Sequence, residues 1–208
     1  MSNRNLSSIA TIFFVFIAFN GITQTDSSVW LNDVLIFQSE LNKEFADSAT
    51  SPLLPEDLKT FTHLDFFPTN AEFRIEAKFV RTPNEKPFKM ITSGTRRPEY
   101  VKYGEARFIY KGKYGKLSIY QNIQLSQKEG YEDYLFIPFR DLTSGKESYG
   151  AGRYLDLKIP QGDVIVIDFN KAYNPLCAYN HKYSCPIPPE ENHLQIAVYA
   201  GVKAPENH

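Results

Sequence analysis

The sequence predicts a mainly β protein: an antiparallel β-sandwich or barrel of about eight strands, with one or two N-terminal helices. Between residues 71 and 200, short segments of alternating apolar and polar residues recur about every eight to twelve positions. The chain has 16 Phe and 13 Tyr but one Trp, an aromatic content that favours strands. Strands do not alternate with helices in the pattern, which argues against the doubly wound nucleotide-binding folds.

The N-terminus has the pattern of an export signal. Arg4 precedes an apolar run at residues 9–19, which is shorter than the roughly twenty residues of a membrane span. We therefore expect a signal peptide at residues 1–24 and a single β-rich domain at 25–208. The expected product is a periplasmic or secreted protein with no stable membrane span after signal removal. No cysteine follows the run, which excludes a bacterial lipid anchor, and an uncleaved N-terminal anchor is the alternative.

The first part of the mature chain has helical periodicity. Apolar residues including Trp30, Val34 and Phe45 are spaced as on one face of a helix, which predicts an amphipathic helix over residues 28–47 packed on the domain. Pro55 fits the first turn of a second, short helix at 56–61.

The remaining chain is predicted to be strands. The segment at 134–139 is continuously apolar, so we expect it to be buried on both faces. Two strands are expected to pair across the turn at 160–163, and the last strand is expected to close the sheet. The predicted strands span residues 71–80, 88–92, 100–110, 116–123, 134–139, 153–159, 164–169 and 193–200.

The two cysteines, Cys177 and Cys185, lie in a segment that prolines make irregular. In an exported protein they are expected to form a disulfide, which would restrain the unfolded chain by roughly 2–3 kcal/mol. Free thiols, or a metal or redox pair, are the alternatives. The spacing is neither that of a zinc site nor Cys-x-x-Cys.

Polar residues concentrate around the sixth and seventh predicted strands. If Tyr154, Asp156, Asp168 and Asn170 line one surface, they form a carboxylate-rich patch with an aromatic wall, and Arg153 and Asn192 add to the polar cluster. Two adjacent carboxylates suit acid–base chemistry, and carboxylates with amide oxygens suit a hard cation such as calcium. The alternative is structural: these groups are buried partners that fasten the irregular segment at 173–189.

Other classes of site find little support. The net charge of −1 argues against a nucleic-acid partner. Ser93 lacks a Gly-x-Ser-x-Gly context, and the four histidines show no metal-ligand spacing. We therefore expect no metal and no cofactor.

Four segments resemble the bacterial "domain of unknown function 1684" family over about residues 35–203. They are FFPTNAEFRIEAKF at 66–79, MITSGTRRPEY at 90–100, YLFIPFRDLTSGKESYGAGRYLDL at 134–157, and DFNKAYNPLCAYNHKYSCPIPPEENHLQIAVYAG at 168–201. Family members typically carry the elements found here at 152–157, 168–170, 177–178 and 185–186. The resemblance implies no established activity. Many exported members have a lipid-attachment cysteine, which this chain lacks.

The function expected from these features is binding of a small polar or amphiphilic ligand by the cluster of Arg153, Tyr154, Asp156, Asp168, Asn170 and Asn192. One alternative is a hydrolase that uses Asp156 or Asp168 as acid or base. Another is a structural envelope or protein-interaction module.

Overall fold

The computed structural model describes residues 22–205, and the predicted signal peptide lies almost entirely outside this range. The described residues form one sheet of seven strands curled into a half-barrel, preceded by a long helix, so the predicted mainly β class is confirmed. The helices are α1 (Ile22–Ala46) and α2 (Pro55–Leu58). The strands are β1 (Arg74–Arg81), β2 (Phe88–Lys89), β3 (Glu99–Tyr110), β4 (Lys113–Asn122), β5 (Tyr134–Phe139), β6 (Arg153–Lys158) and β7 (Val164–Asp168).

Helix α1 follows from the apolar spacing, although it begins earlier than predicted. Val34 and Phe45 are buried, and Trp30 and Leu41 are partly buried, so one stripe of the helix faces the domain. The helix ends at Ala46, and the Asp47 side chain accepts a hydrogen bond from the backbone of Ala49. Helix α2 is a single turn, shorter than the predicted 56–61.

The strand order is β6-β5-β4-β3-β1-β7, with β2 beside β3. The β3–β4 hairpin turns at Lys111 and Gly112, which both have positive φ (48° and 78°), as a tight two-residue hairpin requires. Strand β5 is buried on both faces apart from partly buried Tyr134, as predicted.

The expected pairing of 153–159 with 164–169 is wrong. Strand β6 pairs with β5 and strand β7 pairs with β1, so the two lie at opposite edges of the sheet. Residues 159–163 connect these two edges. Alternation of apolar and polar residues predicts a strand but does not identify the strand with which it pairs. Here the sheet curves, so the ends of its two edge strands lie close enough for a link of turn length to connect them.

The expected eighth strand at 193–200 is not regular. Leu194, Ile196 and Val198 are buried as the alternation predicted. The backbone is held by separate contacts instead of a ladder: Leu194 N–H donates to the Arg140 carbonyl, and Leu142 N–H donates to the Ile196 carbonyl. The apolar side chains enter the core without adding a strand.

The two faces of the sheet bury different residue types. One face carries the main aliphatic and phenylalanine core, which includes Leu117, Ile137 and Leu155. The other carries an aromatic cluster that includes Tyr100, Phe136 and Tyr154, along with both cysteines. Helix α1 and the segment at 173–186 lie near this aromatic side, where the candidate site is found.

Candidate functional site

A cavity of about 490 Å³ lies between α1, the aromatic face of the sheet and the irregular segment at 173–186. We call it the α1 cavity. Its size is within the usual range for small-molecule sites. Its walls are Phe37, Leu41, Glu44, Phe45, Leu64, Arg96, Tyr100, Leu125, Tyr134, Phe136, Tyr154, Asp156, Tyr173, Asn174, Pro175, Leu176, Tyr179, Tyr183, Ser184, Cys185 and Pro186.

Asp156 is the carboxylate on the sheet side of the cavity. It follows Tyr154 by two residues on β6, so both side chains point to the aromatic face. Its Oδ1 accepts hydrogen bonds from the hydroxyls of Tyr134 and Tyr173, both at 2.7 Å. Partial desolvation by the surrounding protein raises the pKa of Asp156, and the two hydroxyl donors only partly oppose this.

The tyrosine hydroxyls that border Asp156 respond to its charge. Burial and the neighbouring carboxylate both raise the pKa of Tyr134 and of Tyr173, so these phenols stay protonated as donors. Asp156 therefore keeps an oriented pair of donors on one oxygen. Among the described residues, none donates a hydrogen bond to its second oxygen, Oδ2.

The aromatic wall is a chain of rings in edge contact. The Phe136 and Tyr154 centroids are 4.8 Å apart, and those of Tyr154 and Tyr173 are 5.8 Å apart, both in T-shaped geometry. The Tyr154 hydroxyl donates to the Pro186 carbonyl. Because their hydroxyls are engaged by protein groups, these tyrosines contribute mainly ring surface to the cavity.

Helix α1 covers the cavity and is attached at a few polar points. Trp30 Nε1 donates to Asp168 Oδ2 at 2.7 Å, and Lys171 forms an ion pair with Asp33 at 2.6 Å. Near the other end, Asn42 accepts a hydrogen bond from the Leu64 backbone at 2.7 Å. The helix thus forms one wall of the cavity without belonging to the sheet.

Of the six residues proposed from the sequence, Tyr154 and Asp156 line the α1 cavity. Asp156 also lines a second cavity of about 520 Å³, where Asp168 and the α1 residues Trp30 and Asp33 are found. The second cavity is therefore lined by both proposed carboxylates, Asp156 and Asp168. Tyr154 and Asn170 do not line this second cavity.

Arg153 has a structural environment. Its side chain is fully buried and pairs with Asp141 at 2.6 Å. The same guanidinium donates to the carbonyls of Val198, Ala200 and Val202. Burial lowers the pKa of Arg153, and Asp141 opposes that shift. Arg153 therefore fastens the irregular C-terminal segment to β6.

Asp168 and Asn170 also serve local structure. Asp168 caps a short turn by accepting from the Asn170 backbone at 3.0 Å. The buried Asn170 amide exchanges two hydrogen bonds with the backbone of Asn70, each 2.9 Å long. These contacts tie the end of β7 to the segment that precedes β1.

Asn192 fills a gap between β4 and β5, whose ladder contains a single residue pair. Its Oδ1 accepts from Ser118 N–H at 2.7 Å, and its Nδ2 donates to the carbonyls of Ser118 and Pro138 at 2.9 and 2.8 Å. The side chain is fully buried and replaces missing backbone pairing.

The predicted disulfide is not found: Cys177 and Cys185 are buried free thiols. They are nevertheless neighbours, because Cys177 N–H contacts Cys185 Sγ at 3.2 Å. The hydrogen bond between the two thiols lowers the pKa of Cys177 and raises the pKa of Cys185. The two sulfurs are therefore unbonded neighbours in the structure, and Cys185 lies on the cavity wall.

Sequence reasoning missed Tyr134 and Tyr173 and the contribution of α1. The sequence pattern places Tyr134 in a buried strand and Tyr173 in the irregular segment, and nothing in it links either residue to Asp156. Strand alternation does place Tyr134 and Phe136 on one face of β5. Their position next to Asp156 depends on the register of β5 with β6, which sets Phe136 opposite Asp156.

The described residues offer neither a metal site nor a membrane-spanning helix. Within residues 22–205, no group of three or more His, Cys, Asp or Glu side chains is arranged to hold a metal ion. Across that same range, no helix has both the length and the apolar character needed to cross a membrane.

The fold and the cavity define a half-barrel β protein with a helix-covered, tyrosine-lined pocket. Residues 59–203, more than half of the chain, match the family model described as "Protein of unknown function (DUF1684)", and the chain belongs to this family. It is also similar to the solution NMR structure of an uncharacterized protein from gene locus rrnAC0354 of Haloarcula marismortui. The two are 32% identical with a TM-score of 0.70, over 89% of this chain and 100% of the other. No curated protein matches the chain.

Proposed function

We propose that this protein binds a small amphiphilic ligand in the α1 cavity. The observation that carries the proposal is the arrangement at Asp156: a carboxylate held by two tyrosine hydroxyls within an otherwise largely aromatic and aliphatic wall. Small-molecule sites have this composition, mostly apolar with a few placed polar groups.

The position of α1 supports the same proposal. The helix lies over the aromatic face, yet several of its apolar side chains, including Leu35 and Ile36, remain exposed. A helix held by one narrow buried stripe and a few polar contacts can shift to admit a ligand with less disruption than a strand of the sheet.

The test uses three soluble compounds that share a phenethyl-like body: phenethyl alcohol, phenethylammonium and phenylacetate. Each is titrated into isotope-labelled protein and followed by NMR. We expect at least one to give saturable shifts at cavity residues. Leu125→Trp fills the cavity and should abolish them. Leu142→Trp is the matched control, because Leu142 is exposed and outside the cavity lining. If no compound saturates, or if the shifts survive Leu125→Trp, ligand binding in this cavity is wrong.

A hydrolase is the second candidate, because Asp156 is a carboxyl oriented by two tyrosine hydroxyls and its pKa is raised by desolvation, as in general acids. Turnover of generic ester, glycoside or phosphate probes that disappears in Asp156→Asn, with the fold intact, would support it. Absence of turnover on all three probe classes would count against a hydrolase.

We also propose that the protein is exported, with residues 1–24 as the signal and the Cys177–Cys185 disulfide formed afterwards. Support for export comes from Arg4 and the apolar run at 9–19. Support for the disulfide comes from the contact between the two cysteines. Intact mass of the protein recovered from an exporting host would show whether the N-terminal segment is removed. A full-length mass would contradict cleavage.

A further inference from the structure

We propose that the α1 cavity selects an organic ammonium ion, with the cation held against Asp156 and the apolar body along the tyrosine wall. This inference rests on the proposed function, and it names the chemical class of the ligand. Three features of the cavity support this inference. They are the Asp156 oxygen that accepts no hydrogen bond from the described residues, the faces of the surrounding aromatic rings, and the positions of the charged side chains.

The first feature is the hydrogen-bonding capacity left at Asp156. Tyr134 and Tyr173 both donate to Oδ1, so Oδ2 is the oxygen that can receive a ligand. An ionised carboxylate only accepts hydrogen bonds. The complementary ligand group is therefore a donor, and a positively charged donor makes the strongest such bond.

The second feature is that the nearby tyrosines have little hydrogen-bonding capacity to offer. The hydroxyls of Tyr134 and Tyr173 are used by Asp156, and that of Tyr154 is used by the Pro186 carbonyl. What remains for a ligand is ring surface. Aromatic ring faces carry negative potential and attract ammonium groups, most strongly where water is displaced.

The third feature is charge. The charged side chains in the cavity lining are Asp156, Glu44 and Arg96, and two of these three are acidic. All three side chains are exposed: Glu44 on α1, Arg96 in the loop before β3, and Asp156 on β6. Of the three, Asp156 is the one that accepts hydrogen bonds from tyrosines of the aromatic wall, so the charge next to the rings favours a cation.

Arg96 provides the opposing possibility, because a guanidinium at the cavity would favour an anion. It lies within electrostatic range of the Tyr100 hydroxyl, which borders the same wall. The choice between cation and anion therefore depends on whether Asp156 or Arg96 determines the site. The carboxylate is oriented by two tyrosines, and this preorganisation favours Asp156.

The experiment compares dissociation constants of phenethylammonium, phenethyl alcohol and phenylacetate, measured by calorimetry or by NMR. We expect the ammonium compound to bind more tightly than the alcohol by about tenfold or more, and phenylacetate to bind weakest. In Asp156→Asn, which keeps an acceptor for the tyrosines, the ammonium should lose this advantage while the alcohol is little changed. Asp163→Asn, an exposed carboxylate in the link from β6 to β7, is the charge-matched control.

The possible results distinguish failure of cation selection from failure of the proposed ligand-binding function. Equal binding of the alcohol and the ammonium would leave a ligand cavity but overturn selection of a cation. Tightest binding of phenylacetate would overturn it in favour of Arg96. Saturable binding by none of the three compounds would remove the proposed function itself. Because the ranking is measured on the unmodified protein, it remains decisive even if Asp156→Asn does not fold.

Discussion

Trp30 and Asp168, 138 residues apart in sequence, are joined by a 2.7 Å hydrogen bond from the indole Nε1 to carboxylate Oδ2. The chain has one tryptophan, and this contact attaches α1 to the end of β7. The same carboxylate uses its other oxygen to cap the turn that follows β7. One acidic residue thus connects the covering helix to the edge of the sheet.

Trp30→Phe should loosen α1 while leaving the sheet in place, because it removes the indole donor and keeps an aromatic ring. We expect faster hydrogen exchange over residues 28–46 and a loss of roughly 1–2 kcal/mol in stability. The measurement is hydrogen exchange followed by mass spectrometry. Leu31→Ala, at an exposed site on the same helix, is the control. Unchanged exchange in Trp30→Phe would show that other contacts hold the helix.

Arg153 and Asp141 should show strong coupling. Removing either partner leaves the other charge buried, so Arg153→Met or Asp141→Asn alone should each destabilise the protein by about 3–5 kcal/mol. The double variant should lose less than the sum of the two. Urea unfolding of the four proteins in the cycle measures this. Additive losses would mean that the carbonyl contacts, and not the ion pair, account for the role of Arg153.

Asn192→Ala should weaken the junction of β4 with β5. The substitution leaves Ser118 N–H and the carbonyls of Ser118 and Pro138 without their partner, at a cost of at least about 2 kcal/mol. Urea denaturation reports the loss, with Gln161→Ala as a control at an exposed position. A change below about 0.5 kcal/mol would mean that water replaces the side chain at this gap.

Glu105 should make stability depend on acidity. Burial opposes its ionisation, but hydrogen bonds from Lys102 and Arg107 outweigh this and lower the pKa from 4.5 to about 2. The folded pKa is below the unfolded one, so the stabilisation is present above about pH 4.5 and is lost as pH falls through about 2.

Glu105→Gln should therefore cost on the order of 2 kcal/mol at neutral pH and flatten the acid side of the stability profile. Chemical denaturation at a series of pH values provides the measurement. Glu76→Gln, on the exposed face of β1, is the control. An acid-side slope that is unchanged in Glu105→Gln would assign the pH dependence to other carboxylates.

Cys177 and Cys185 should close into a disulfide under mild oxidation. The two thiols lose two protons and two electrons to an added oxidant such as diamide, and an S–S bond forms. We expect the intact mass to fall by two hydrogens and thermal stability to rise, because a short loop is closed. Mass spectrometry under denaturing conditions detects the change, and Cys177→Ser is the control. An unchanged mass after oxidation would show that the buried pair is fixed apart.

Much of the fold was predictable because alternation and turn residues report local conformation. The boundaries of β5 match the prediction. Strand β4 begins at Lys113 and not at the predicted residue 116, because the turn uses Lys111 and Gly112 alone. The pairing of β6 with β7 was predicted wrongly because a short link does not require adjacent strands when the sheet curls. Residues 193–200 have strand-like alternation, but their backbone is held by Arg153 and Arg140 instead of a ladder.

The candidate site was only partly predictable, since it depends on contacts between distant segments. The sequence indicated Tyr154 and Asp156 as same-face neighbours on one strand. Their association with Tyr134 depends on strand register, and that with Tyr173 on an isolated bridge between Tyr154 and Tyr173. The polar residues Arg153, Asn170 and Asn192 were noticed for their chemistry, but their burial among backbone groups is a property of the folded chain.

The placement of β7 beside β1 has a consequence for how the protein is made. Strand β1 is synthesised before β3, β4, β5 and β6, yet one of its two hydrogen-bonding edges is satisfied only by β7. Closing such a long loop costs chain entropy before any contact repays it, so folding should be slow for a domain of this size. A partly synthesised chain exposes the open β1 edge to other strands. Aggregation during production is therefore expected to depend on how soon residues 164–168 reach β1.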